Sequence, residues 1–178
     1  MPTQRIKQEW ALAPAMAQPG RNASSDAILS PVRTFFVSTK TSLGRRMLQS
    51  ERNAGLLIDV LRSLVVERKF TLHDFVIMPD HVHLLLTVED EMTTEKAMQL
   101  VKGRFSHRLT KEFGHLGEVW QRGFSEVQVL DRESFVQHRS YIAANPVKAG
   151  LVDSPEQYPY CFEFLASKRA AGAKALAG

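Results

Sequence analysis

Residues 71–88, "TLHDFVIMPDHVHLLLTV", hold two apolar runs with only Pro79 and Asp80 between them. Runs of this length, rich in β-branched and aromatic residues, read as strands. A proline that presets φ, followed by an aspartate that can bond nearby backbone, makes a tight turn. Strands joined by so short a link can only run antiparallel. This hairpin constrains the fold more than any other stretch, because the remaining elements must pack around it.

The flanks follow the same rules. "RTFFVSTKT" (33–41) reads as an earlier strand. In "SERNAGLLIDVLRSLVVERK" (50–69), Leu56, Leu57, Val60, Leu61, Leu64 and Val65 recur at helical spacing, with Ser50 placed to cap the start. "TTEKAMQLVKGRFSHRLTKEFG" (93–114) repeats the pattern with Ala97, Leu100, Val101, Phe105, Leu109 and Phe113, and ends on Gly114, a residue suited to a left-handed cap. "VWQRGFSEVQVL" (119–130) predicts a fourth strand with an irregularity at Gly123. Asp131 is a good N-cap for a third helix, expected to stop near Ala144 because Pro146 disfavours helix at Asn145. The order β-α-β-β-α-β-α predicts an α+β, ferredoxin-like split βαβ fold. It has an antiparallel sheet of four to five strands, helices on one face, and an additional C-terminal helix carrying Tyr141.

Composition sets the limits. The chain has 178 residues, enough for one domain with a self-sufficient core. The expected division is a flexible arm over 1–30, rich in Ala, Pro, Gln and Ser, one domain over 31–165, and an Ala-rich basic tail over 166–178. A single cysteine, Cys161, excludes an internal disulfide framework and a cysteine-based metal site, and suits a cytosolic protein. No stretch approaches the ~20 apolar residues of a membrane span. A formal charge of +4 permits a polyanionic partner without demanding one.

His81 and His83 then stand out. Side chains two apart on a strand share a face, and their Cα atoms lie roughly 6.5–7 Å apart, so both imidazoles can reach one cation. Val82, Leu84, Leu86 and Val88 form the other, unbroken apolar face, which belongs against helices and would leave the histidine face open. Histidines in strands are more often simple hydrogen-bonded residues, and the pair alone leaves a metal or catalytic site at about even odds with that reading. Two ligands do not close a site, so a third must come from elsewhere. "HRSYIAANPVKAGLV" (138–152) places Tyr141 and Asn145 four apart on one helical face. An amide oxygen suits a hard cation such as Mg²⁺ or Mn²⁺, and a phenol near such an ion can attack a phosphodiester. The bland alternatives are a packing tyrosine and an asparagine that caps the helix.

"FVIMPDHVHLLLTV" followed by "YIAANPVKAGLV" resembles the single-tyrosine transposases with a His-hydrophobe-His motif, and within them the REP-associated tyrosine transposases of bacteria. The resemblance spans roughly 33–160. It includes "GRR" after the first strand, "LVKGRFS" in the second helix and "VWQRGF" before the fourth strand; "YPYCFEF" departs from the family's Trp-Ser-Ser-like stretch. It implies metal ligation by His81, His83 and Asn145 and nucleophilic attack by Tyr141. The implied protein is a cytoplasmic, nucleoid-associated endonuclease that nicks and rejoins single-stranded DNA beside a REP-like hairpin, as monomer or homodimer. A domesticated hairpin-DNA binder without catalysis is the alternative. Arg45, Arg46, Lys102, Arg104, Arg108, Arg122 and Lys148 are the candidate phosphate contacts, which give affinity rather than sequence reading. Trp120 and Phe124 are candidates to stack on unpaired bases, with a core role favoured for Phe124.

Overall fold

In a computed structural model, residues 32–176 are described. The expected arm over 1–30 lies outside them. The elements are β1 (Val32–Lys40), α1 (Glu51–Val66), β2 (Thr71–Ile77), β3 (His81–Glu89), α2 (Thr94–Phe113), β4 (Ser125–Val129), α3 (Arg132–Lys148) and α4 (Phe162–Leu176). The sheet order is β2-β3-β1-β4 and every described pairing is antiparallel, which is the α+β split-βαβ arrangement expected.

Local chemistry accounts for the boundaries. Ser50 and Thr93 accept the backbone N–H three residues on and cap α1 and α2, satisfying donors that no helical carbonyl can reach. Gly114 ends α2 at φ 66°, a conformation open to glycine at little cost. β4 is shorter than its sequence suggests. Trp120 makes an isolated bridge to Thr41, Gly123 turns at φ 75°, and regular pairing begins at Ser125. Lys102 on α2 holds this turn, donating to the carbonyls of Gln121 (2.9 Å) and Gly123 (2.8 Å).

α3 also differs from expectation. It runs through Pro146 to Lys148 instead of ending near Ala144. Proline removes one helical N–H and crowds the carbonyl four residues earlier, but in the last turn that loss is confined. The end is closed by Ala149 N–H to Asn145 O (3.0 Å) and Leu151 N–H to Pro146 O (2.9 Å). The tail is helical from Phe162 to Leu176.

Two clusters of buried side chains separate on the two faces of the sheet. α1 and α2 cover one face, where Val37, Phe75, Ile77, Val82, Leu84 and Leu86 meet Leu57, Leu61, Val101 and Phe105. On the other face Phe36, Val76, Leu85 and Val129 meet Ile142 of α3 and Tyr158 and Cys161 from the segment that follows. The histidine face is therefore covered rather than open. The "YPYCFEF" stretch accounts for part of this cover. The Tyr158 hydroxyl donates to Ile77 O (2.7 Å), Ile77 N–H to Tyr160 O (2.9 Å), and Cys161 bridges Val76 at the free edge of β2.

Candidate active site

Strand pairing assembles the site's floor. The β1–β3 register sets Lys40 opposite His81, Ser38 opposite His83 and Phe36 opposite Leu85. Alternation places these six side chains on the face away from α1 and α2. His83 is 1% exposed. Its Nδ1 lies 2.5 Å from Ser38 Oγ, while its Nε2 is buried with no hydrogen-bond partner among the described residues. Burial holds its pKa well below the ordinary value, the charges of His81 and Lys40 push the same way, and the Asn145 amide opposes them. The ring is thus neutral near pH 7. In the tautomer that gives Nδ1–H to Ser38, Nε2 keeps a lone pair with no hydrogen-bond partner among the described residues.

His81 is oriented in the same manner from the other side. Its Nδ1–H donates to Asp80 Oδ1 at 2.7 Å, and that bond holds the Asp80 carboxyl below its usual range. The two imidazole centroids are 4.9 Å apart. An outer oxygen fixing one ring nitrogen so that the other faces outward is the usual support for a metal-binding histidine.

α3 lays the rest over this floor. Asp131 caps it by accepting Ser134 N–H at 2.7 Å. Positions 138, 141, 142 and 145 then fall on one face by helical geometry. His138 is buried, gives its Nδ1–H to Ser134 O (2.7 Å) and packs 4.7 Å from the Phe36 ring. The Tyr141 ring stands edge-on to Phe36 at 5.7 Å and to His83 at 5.4 Å, with Lys148 Nζ 5.4 Å from its centroid. Asn145, 7% exposed, donates from Nδ2 to Tyr141 O at 2.8 Å, which leaves its Oδ1 as the acceptor end. The sequence-derived set of His81, His83, Tyr141 and Asn145 is therefore brought together. Among the described residues no three His, Cys, Asp or Glu side chains cluster to hold a metal, so a cation bound by the two histidines would need a third protein ligand of another kind. The Asn145 amide oxygen is chemically suited, and the orphaned Nε2 of His83 fits a site that expects a cation.

The basic candidates scatter. Lys148 lies at the site. Arg45 closes the loop after β1, donating to Ser42 O (3.1 Å) and Glu118 O, and Arg46 donates to Gln49 Oε1 (3.0 Å). Arg104 and Arg108 make two-pronged pairs with Glu67 (2.5 and 2.7 Å) and Glu112 (2.6 and 3.3 Å), and Lys102 is committed to the turn before β4. α2 covers the opposite face of the sheet, so Lys102, Arg104 and Arg108 are not brought to the histidines. Arg122 is exposed in the loop after Trp120. Trp120 packs 5.4 Å from Phe105 and donates to Lys102 O (3.2 Å), a core role like that of Phe124.

Sequence reasoning missed Ser38, Lys40, Asp80 and the Asp74–Arg139 pair (3.1 Å), which fastens α3 to a bulge of β2. Period-two alternation groups Phe36, Ser38 and Lys40 on one face. It does not say that this face meets the histidines, which only the cross-strand register decides.

A split-βαβ sheet seating two histidines beneath a helix-borne tyrosine and asparagine is the setting in which the comparisons fall. Residues 39–145, more than half of the chain, match the family model described as Transposase IS200 like, and the chain belongs to that family. Within it, the chain is similar to the REP-associated tyrosine transposases. A Haemophilus influenzae protein described as one is 32% identical over 94 residues, covering 47% of this chain and 53% of that protein. The chain thus spans about half the length of that relative. The Escherichia coli REP-associated tyrosine transposase is 24% identical over 139 residues, covering 74% of this chain and 81% of that one. In fold, the chain matches a REP-associated tyrosine transposase solved bound to a REP hairpin. That match has a TM-score of 0.64 at 23% identity over 87% of each chain. A transposase-like structure from Deinococcus radiodurans matches with TM-score 0.50 at 22% identity, over 71% of this chain and 95% of that one.

Proposed function

We propose that this transposase nicks and rejoins single-stranded DNA beside a hairpin, with Tyr141 as nucleophile. The observation that carries the reading is the Tyr141 ring 5.4 Å from a buried, neutral His83 whose outer nitrogen has no hydrogen-bond partner among the described residues. His81, His83 and Asn145 would hold Mg²⁺ or Mn²⁺, which when bound polarises the scissile phosphate. The Tyr141 phenol has a reference pKa near 10 and must lose its proton to attack. Lys148 sets its ammonium 5.4 Å from the centroid of that ring. A bond forms between the Tyr141 oxygen and phosphorus while the bond to the 3′ oxygen breaks. The proton lost by the phenol balances the one gained by the released 3′-hydroxyl. The 5′-phosphate stays on Tyr141 as an ester, so the same or another 3′-hydroxyl can reverse the step without ATP. The hairpin preference is supported by the fold neighbour bound to a REP hairpin.

The test is a labelled hairpin carrying a single-stranded extension, incubated with protein and Mn²⁺ and run on a denaturing gel. A protein–DNA band whose nucleotide mass maps to the peptide holding Tyr141 is the expected result. Binding without any band would favour a DNA-binding protein that has lost catalysis. Mass on Tyr158 or Tyr160 would overturn the assignment. Tyr158 is poorly placed to react, since burial pushes its phenol well above the ordinary value.

A further inference from the structure

The loop leaving β1 carries the most exposed large hydrophobic side chain among the described residues, Leu43, at 92%. Its backbone is left-handed, with φ 57° and ψ 20°. Leu43 and Gly44 (φ 62°) are the central pair of a turn closed by Arg45 N–H to Ser42 O at 3.3 Å. A turn with both central residues at positive φ is ordinarily filled by Asn-Gly. Leucine there strains its Cβ against the backbone and, fully exposed, gains no burial in return. Two other non-glycine residues have positive φ, Arg68 and Asp90. Arg68 terminates α1, and aspartate tolerates the left-handed region. Neither combines strain with an exposed apolar tip.

The loop is hydrogen-bonded to the segments that flank the site. Thr41 N–H donates to Asp80 O (2.9 Å), the Thr41 hydroxyl lies 2.6 Å from Arg45 O, and Ser42 N–H donates to Val119 O (2.9 Å). Asp80 is the residue that orients His81, and Lys40, three residues before Leu43, pairs with His81 across the sheet. At most about 11 Å of chain therefore separates Leu43 from the edge of the site. Its sequence neighbours are Ser42, Gly44, Arg45 and Arg46, and Lys40 is close behind. The Ser42 hydroxyl donates to the Glu118 carboxylate (3.2 Å), so the loop carries both signs of charge. A lone apolar tip does not suit a protein interface, whose core needs several contiguous apolar side chains. It suits one unpaired base of a strand whose phosphates pass Arg45 and Arg46.

We infer that Leu43 is a wedge that packs on a single unpaired base next to the scissile phosphate and so sets where the strand is cut. The inference rests on the single-strand reading above. Its test uses Leu43→Asn, which fits the same turn without the apolar tip. Two quantities are compared with the unmutated protein: the thermal midpoint without DNA, and the affinity for a fluorescent hairpin whose single-stranded extension carries an abasic site at each position in turn. The expected result is an unchanged or higher midpoint with roughly fivefold to tenfold weaker binding, at the lower end of base stacking. One abasic position should reproduce that loss in the unmutated protein and add nothing in the variant. Equal affinity of variant and parent overturns the inference and leaves the single-strand reading standing. A midpoint that falls together with affinity makes Leu43 structural and also overturns it. Absence of hairpin binding by the unmutated protein sinks both.

Discussion

The two faces of the sheet are built to different rules. Against α1 and α2 the buried sheet side chains are Val37, Phe75, Ile77, Val82, Leu84, Leu86 and Val88, with Thr39 as a polar exception whose hydroxyl has no hydrogen-bond partner among the described residues. Under α3 the face is also largely covered, yet its buried side chains include Ser38, Asp74, His83, His138 and Asn145. Burying polar groups costs stability unless each finds a partner, and His83 Nε2 has none among the described residues. The first face gathers the burial that drives folding. The second spends part of that stability on a preorganised polar array. Sites of chemistry are where local rules for stability are expected to be broken.

The sharpest break between the faces is expected from Tyr141→Phe and Phe105→Ala. Tyr141→Phe keeps the ring and its contacts with Phe36 and His83, so the thermal midpoint should hold while the covalent protein–DNA band disappears. Phe105→Ala, deep between α2 and the sheet, should do the reverse. It should lose about 3–5 kcal/mol in urea unfolding while the folded fraction still forms the adduct. A Phe105→Ala protein that is stable but inactive would mean the two faces are coupled.

His83→Leu sharpens the contrast with a smaller effect. It removes the orphaned Nε2 but leaves Ser38 Oγ without its partner. The two costs oppose each other, so the unfolding free energy should change by less than about 1 kcal/mol, together with loss of cleavage. A loss well beyond that would show that the Ser38–His83 bond matters more to the fold than the burial of Nε2 costs it.

The same contrast explains what was legible in the sequence. The hairpin, the caps at Ser50, Asp131 and Gly114, the histidine pair and the Tyr141–Asn145 spacing all depend on residues within a few positions of one another. Period and turn chemistry report such features directly. Ser38 beside His83, Arg139 on Asp74 and Arg104 on Glu67 join residues 45, 65 and 37 apart, and only the folded register brings them together. The basic stripe of α2 looked like a phosphate surface because a sequence shows charges without their partners. The helix passing through Pro146 was missed because the rule against proline is a rule about helix interiors, and its force fades in the last turn.

The smallest effect tests the ion pairs of the two faces against each other. Arg139 meets Asp74, whose side chain is 9% exposed, whereas Arg104 meets Glu67 in solvent. Exposed pairs contribute little, so Arg104→Ala should leave the thermal midpoint where it is. Asp74 differs because burial, the larger influence, raises its pKa above 3.8, with Arg139 pulling only partly back. A raised carboxyl binds its proton more tightly in the folded state than in the unfolded chain. Stability on its account therefore falls as pH rises from about 3.8 toward the raised value, then stays lower. Asp74→Asn removes that titration while its Oδ1 can still accept Phe75 N–H, and the half-exposed Arg139 can turn to water. Urea midpoints measured from pH 3 to pH 6 should show the variant losing less stability than the parent over this window. Removing the pair also loosens the tether of α3, so adduct formation by Asp74→Asn should slow even where its stability is higher. Equal pH slopes for variant and parent would mean that Arg139 fully offsets the burial of Asp74, and the pair would then differ from Glu67–Arg104 in location alone.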